Sequence, residues 1–184
     1  MNKTIPALPK SLAVLTAALL LGCADTGPVT PNQAALVPVQ DASVSSVVIE
    51  RAVSMLRRAT ARYHDLNVAL ADGFVLLHPC EVRPGEGAVG AVYVNLSRLD
   101  GRVDLDRPEA LIYEESPNQP AKLVGAEFAI PYVAWPKSEP PVLLGQTFQA
   151  EDEFGVFALH AWIWRANPNG MFAEAHPGIS CTAA

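Results

Sequence analysis

The chain has 184 residues, 50% of them hydrophobic, with 13 Lys and Arg against 19 Asp and Glu and a formal charge of −6 at pH 7. That balance argues against nucleic acid or an anionic lipid surface as a partner, since both are bound mainly through Lys and Arg. The length and apolar share suffice for one good core, and no internal repeat divides it.

Lys3 and Lys10 open the chain and an apolar run from Leu12 to Leu21 follows, broken only by Thr16, before Gly22-Cys23. This is the order of a charged n-region, an h-region and a cleavage site. The run is too short for a permanent anchor, because crossing the hydrocarbon core takes roughly 20 helical residues at about 1.5 Å each. Leu20-Leu21-Gly22-Cys23 resembles the bacterial lipobox, which implies cleavage before Cys23 and lipid attachment to that cysteine. Each buried methylene of an acyl chain adds about 0.8 kcal/mol, and more than one chain makes the anchor stable. Residues 1–22 are thus expected to be a signal peptide, and residues 23–42, with Pro28, Pro31 and Pro38 among small polar residues, the lipidated cysteine and a tether. Ala24 stands where an aspartate would signal inner-membrane retention, so the expected address is the outer membrane facing the periplasm, with the inner membrane and the cell surface as alternatives. Cleavage removes two lysines and no acid, leaving 11 basic and 19 acidic side chains and a formal charge of −8.

The expected domain, residues 43–184, begins with a helix. From Ser43 to Asp72 the residues Val44, Val47, Val48, Met55, Leu56, Ala59, Tyr63, Leu66 and Leu70 recur mostly at three- and four-residue spacing with no proline between them. Ser43 or Ser46 can cap its start and Gly73 its end, while Arg51, Arg57, Arg58 and Arg62 line the solvent face. Strands are expected at Phe74–Leu77, Val89–Leu96, Ala110–Glu114, Lys122–Ile130, Val142–Phe148 and Gly155–Arg165. Ser116-Pro117-Asn118-Gln119-Pro120 reads as a hairpin connection. The fold class is α+β, an N-terminal amphipathic helix packed on a curved antiparallel sheet of five or six strands. The last strand is apolar on both faces, with Phe157, Leu159, Ala161 and Ile163 on one and Val156, His160, Trp162 and Trp164 on the other, which suggests a central position.

With Cys23 lipidated, Cys80 and Cys181 form an even pair in a compartment that permits disulfides. Neither lies in a Cys-x-x-Cys motif or beside a methionine, so a structural bridge is expected rather than a reactive or copper-binding pair.

Most of residues 59–181 resembles a family of uncharacterised bacterial secreted proteins and lipoproteins. The resemblance rests on Ala59-Thr60-Ala61-Arg62-Tyr63-His64-Asp65 with Ala71-Asp72-Gly73-Phe74, on Arg107-Pro108-Glu109-Ala110-Leu111-Ile112-Tyr113-Glu114, and on Val124-Gly125-Ala126-Glu127-Phe128. It continues in Leu159-His160-Ala161-Trp162-Ile163-Trp164, Asn167-Pro168-Asn169-Gly170-Met171-Phe172 and Cys181. Where relatives carry Met-Gly-x-His this chain has Val89-Gly90-Ala91-Val92, and valine can neither coordinate a metal nor transfer a proton. The family supplies no activity to carry over.

The candidate ligand-binding residues are His160, Trp162, Trp164, Glu127 and Glu114. They suit an envelope protein that binds a small ligand or a protein partner. The alternative is a metal-dependent enzyme in which His160, Glu127 and Glu114, from three strands, ligate zinc, manganese or iron. His64 and Asp65 are adjacent on the helix and cannot face one another. His78 and His176, next to the two cysteines, form a more remote metal candidate. No Gly-x-Ser-x-Gly elbow, Walker loop or dinucleotide fingerprint occurs, so no cofactor is expected.

Overall fold

The computed structural model describes residues 46–181. The expected signal peptide, Cys23, the expected tether and the capping candidate Ser43 lie outside the described residues. Helix α1 spans Ser46–Thr60, a 3₁₀ turn follows at Ala61–His64, and α2 spans Leu66–Ala71. The single helix expected through Asp72 is therefore broken, and the reason is local. The Asp65 carboxylate caps α2 by accepting from the Asn67 N–H at 2.9 Å, while the Tyr63 carbonyl accepts at 2.6 Å from the Tyr113 hydroxyl across the core. Both contacts favour a fresh start over a continued ladder. Gly73, at φ +91°, ends α2 as expected. The Phe74 N–H reaches the Ala69 carbonyl and the Gly73 N–H the Leu70 carbonyl, the paired bonds of a left-handed helix stop.

The strands are β1 (Val75–His78), β2 (Val82–Arg83), β3 (Gly87–Ala88), β4 (Ala91–Val94), β5 (Ala110–Ser116), β6 (Gln119–Pro131), β7 (Val142–Leu143), β8 (Gln146–Thr147), β9 (Gln149–Glu151) and β10 (Val156–Ala161). Six form an antiparallel sheet in the order β1-β4-β5-β6-β10-β9, so the architecture is α+β with the helical segment opening the domain. β5 and β6 join through Pro117-Asn118, the expected hairpin, with Ser116 opposite Gln119 and Asn118 at φ 59°. β10 lies between β6 and β9, one place in from the edge. The strand expected over Val142–Phe148 is instead a small separate hairpin, because Leu144 and Gly145 adopt positive φ and turn the chain back.

One sheet face packs against the helices through Val53, Leu56, Tyr63, Phe74, Tyr113, Phe128, Ile130 and Leu159. The other face, with Val92, Val94, Ile112, Val124 and Trp162, is covered by Ala88 and Val89 and by the C-terminal residues Ala175 and Ile179. Val92 is fully buried in this second layer. Gly90 is required where the chain enters β4, since a Cβ there would lie 2.2 Å from the Tyr113 carbonyl oxygen. The disulfide Cys80–Cys181, with Cα atoms 5.3 Å apart across a sequence separation of 101, ties the β1–β2 connection to the C-terminal segment. A bridge between Ala88 of β3 and His176 ties the same C-terminal segment down beside it.

Candidate functional site

β6 and β10 pair with His160 directly opposite Glu127, so period-2 alternation sends both side chains to the second face. Both residues are buried, and His160 Nε2 sits 3.4 Å from Glu127 Oε2. The other ring nitrogen, Nδ1, faces the Glu174 carbonyl at 2.7 Å. Burial alone would push the imidazole down, but the hydrogen bond and charge of Glu127, joined by the Glu174 charge and carbonyl, outweigh it and raise His160 to about 9. The ring is therefore an imidazolium near neutral pH, with an acceptor opposite each nitrogen.

This pair forms the floor of a cavity of about 250 Å³. Val89, Val94, Leu96, Leu99, Ala110, Ala129 and Val156 supply apolar wall, and His78 and Phe154, stacked with ring centres 5.6 Å apart, stand at its lining. Arg83 of β2 enters from the covering segment. Its Nε is shielded from solvent and hydrogen-bonded to nothing. The surrounding carboxylates stand just too far away: Glu81 at 3.8 Å, Glu151 at 3.8 Å and Glu174 at 4.0 Å. Burial raises the Glu174 carboxyl, the nearby His160 charge lowers it, and Glu151 raises it further against the pull of Arg83. Glu174 links the two cationic groups, since its carbonyl holds His160 and its carboxyl faces Arg83.

The other candidates go elsewhere. Glu114 lies on β5 opposite Lys122, whereas Glu127 pairs with Ala110. Four residues of strand put them about 13 Å apart at ~3.3 Å per residue, and Glu114 forms an ion pair with Arg165 instead. Trp162 lies next to the cavity without lining it. Its ring centre is 6.2 Å from His160 and 5.2 Å from His176, and its Nε1 donates to the Ala173 carbonyl at 2.6 Å.

Trp164 is on the opposite layer, a correction to the shared face expected for His160, Trp162 and Trp164. The ladder stops at Ala161, and the Trp162 N–H goes to the Met171 carbonyl while those of Trp164 and Arg165 both go to Val124. With alternation lost, Trp164 packs with the helix-side core, edge-on to His64 at 4.4 Å, and its Nε1 donates to Thr60 Oγ1 at 3.0 Å.

Among the described residues there is no group of three or more His, Cys, Asp or Glu side chains placed to hold a metal. The proposed triad fails on Glu114, and both His160 nitrogens are engaged. His78 and His176 do not rescue the idea, since His176 is buried with Nδ1 accepting from the Gly178 N–H and Nε2 facing the Ala166 carbonyl.

Two residues of this site are missing from the sequence-based set: Arg83 and Glu174. Arg83 sits beside turn residues and Glu174 in an irregular segment, so neither carries a periodic signal. Glu109, next to the wall residue Ala110, is buried, and its Oε2 accepts from the Ala129 N–H at 3.1 Å just past the last ladder pair. Burial raises it to about 8. Comparison of the chain with protein-family models, with curated proteins and with solved structures finds no match in any of the three.

Proposed function

We propose that the chain is a lipid-anchored lipoprotein of the bacterial cell envelope, attached through Cys23, whose globular domain binds a small ligand in the cavity above His160 and Glu127. The observation that carries this reading is the cavity itself: a concave, largely apolar space with a few convergent charged groups on its floor. Its volume is at the small end for ligand sites, which typically run from about 300 Å³ upward. The disulfide suits an oxidising compartment, and the lipobox-like Leu20-Leu21-Gly22-Cys23 supports membrane attachment facing the periplasm. His160 and Glu127, paired with one another across β6 and β10, orient the ligand.

Native mass spectrometry of the full chain purified from membranes tests both halves of the proposal. The N-terminal peptide should begin at an acylated Cys23, and a small organic mass should travel with the folded chain and leave on unfolding. Val156→Trp, which fills the cavity from β10, should remove that mass with the fold intact. A retained mass insensitive to Val156→Trp would place binding elsewhere.

A further inference from the structure

We infer that the cavity takes a small organic cation, a protonated amine or quaternary ammonium, with its charged head among the carboxylates of the rim and its apolar body against the aliphatic wall. The inference rests on reading the cavity as a ligand site, and it deepens that reading by giving the ligand a charge and an orientation.

Exposure sorts the lining into an inner and an outer part. Val89, Val94, Ala110 and Ala129 are buried, as is the His160–Glu127 pair on the floor. Glu153 and Phe154, in the turn between β9 and β10, are exposed, and Glu81 stands with them at the lining with 58% of its side chain exposed. Apolar wall therefore lies inside and carboxylate outside, above a floor whose two opposite charges offset one another.

Charge then decides the class of ligand. The lining holds the carboxylates Glu81, Glu127, Glu151 and Glu153 against two cations, Arg83 and the His160 imidazolium, a formal excess of two negative charges. Arg83 is already shared among Glu81, Glu151 and Glu174, and among the described residues no basic side chain pairs with Glu153. The Glu174 carboxyl registers the same excess: burial raises it, His160 pulls it down, and Glu151 and Glu127 raise it further against Arg83. An anionic head would add to that excess, and both His160 nitrogens already face acceptors. A neutral head gains nothing from it. An ammonium offsets it, and at the rim it keeps part of its hydration, so the desolvation that makes buried ion pairs costly is small. Phe154, 41% exposed and stacked on His78, adds an aromatic ring, whose face attracts a cation. Size follows by scaling: benzene occupies an engineered cavity of about 150 Å³, so one of about 250 Å³ takes a body of roughly ten non-hydrogen atoms.

The test uses the mature chain with Cys23→Ser, which carries no lipid and needs no detergent, at pH 7 and low salt. The probes are hexylammonium, 1-hexanol and hexanoate, which share one apolar body and differ in charge. Binding is read from NMR shifts of the Val89, Val94 and Ala129 signals. Hexylammonium should bind about five-fold more tightly than hexanol, the upper range for one partly solvated ion pair, and hexanoate more weakly than either. Glu153→Gln should reduce that preference and Glu153→Lys should erase it, while hexanol affinity stays unchanged in both and shows the cavity intact. Hexanol or hexanoate binding as tightly as hexylammonium at the same signals would overturn the ligand class and leave the cavity standing as a site. An ammonium preference that survives Glu153→Lys would overturn the placement of the head at the rim. Shifts by none of the three probes would overturn the site itself.

Discussion

The sheet face under α1 and the face under the C-terminal segment are closed by different means. On the helix side, Leu56, Tyr63, Phe74, Tyr113, Phe128 and Ile130 form a dense aromatic and aliphatic layer, and its buried hydroxyl, that of Tyr113, is satisfied by the Tyr63 carbonyl. On the other side the cover is irregular chain, fixed by a disulfide and one bridge, and the layer encloses a cavity, a His–Glu pair and an arginine, Arg83, ringed by three carboxylates. A helix closes a sheet face with side chains at regular spacing and leaves little room. A strap of loop can carry charge inward, because its backbone is not committed to one pattern. The lesson is a division of labour within one sheet: the regular layer holds the fold, and the irregular layer makes the site.

Mutations on each layer test that division. Phe128→Ala, deep on the helix side, should cost about 3–5 kcal/mol and lower the urea midpoint as a single cooperative transition. The double change Cys80→Ser with Cys181→Ser should cost about 2–5 kcal/mol, through a less constrained unfolded chain and a loosened cover. Hydrogen exchange separates the two. Without the disulfide, protection should fall first at the Ala88, His176 and Ile179 amides, which bond within the cover, while the β5–β6 ladder keeps its protection. Uniform loss across both layers would dissolve the comparison.

How far each layer could be read from sequence follows from the same contrast. The helix-side core was legible because α1, β5, β6 and β10 carry periodic apolar residues, and the hairpin at Pro117-Asn118 and the helix stop at Gly73 carry turn chemistry. The cysteine pair followed from parity, once Cys23 is set aside, and from the expected compartment. His160 and Glu127 were also identifiable as polar residues in apolar strands, and the cross-strand register joins them. Arg83 and Glu174 were not, because their roles depend on how loops fold back over the sheet. Trp164 was misplaced for a related reason. Alternation predicts its face only while the ladder lasts, and the ladder ends at Ala161.

Two buried ionisable groups, His160 and Glu109, should also make stability depend on pH. His160 is raised to about 9 from an ordinary 6.5, so its contribution is fully present below about pH 6.5 and is lost as pH rises through 9. Glu109 is raised to about 8 from 4.5, so the fold favours its protonated form, and that contribution is lost as pH rises from about 4.5 through 8. Both act in the same direction, and urea midpoints should fall steadily between about pH 5 and 9. Glu109→Gln keeps the acceptor for the Ala129 N–H and removes the titration. It should flatten the lower part of the decline and raise stability at pH 8 by a few kcal/mol, with a ceiling of about 5 kcal/mol set by the shift from 4.5 to about 8. A wild-type profile with no slope over that range would mean that Glu109 is already ionised in the fold and that His160 gains nothing from Glu127.

The smallest effect sharpens the comparison most, because it concerns two neighbouring tryptophans that the chain sends to opposite layers. Trp164→Phe keeps an aromatic ring against His64 and loses the bond to Thr60 Oγ1, whose hydroxyl still donates to the Leu56 carbonyl at 2.8 Å. The expected cost is about 1 kcal/mol, with ligand affinity unchanged, since Trp164 has no part in the cavity lining. Trp162→Phe loses the bond to the Ala173 carbonyl, a residue next to Glu174, whose own carbonyl holds His160 Nδ1. A similar loss of stability should here bring weaker ligand binding, because the change reaches the floor of the cavity through Glu174. Thermal melts and probe titrations on the two variants, read side by side, separate a tryptophan that holds the helix from one that holds the site.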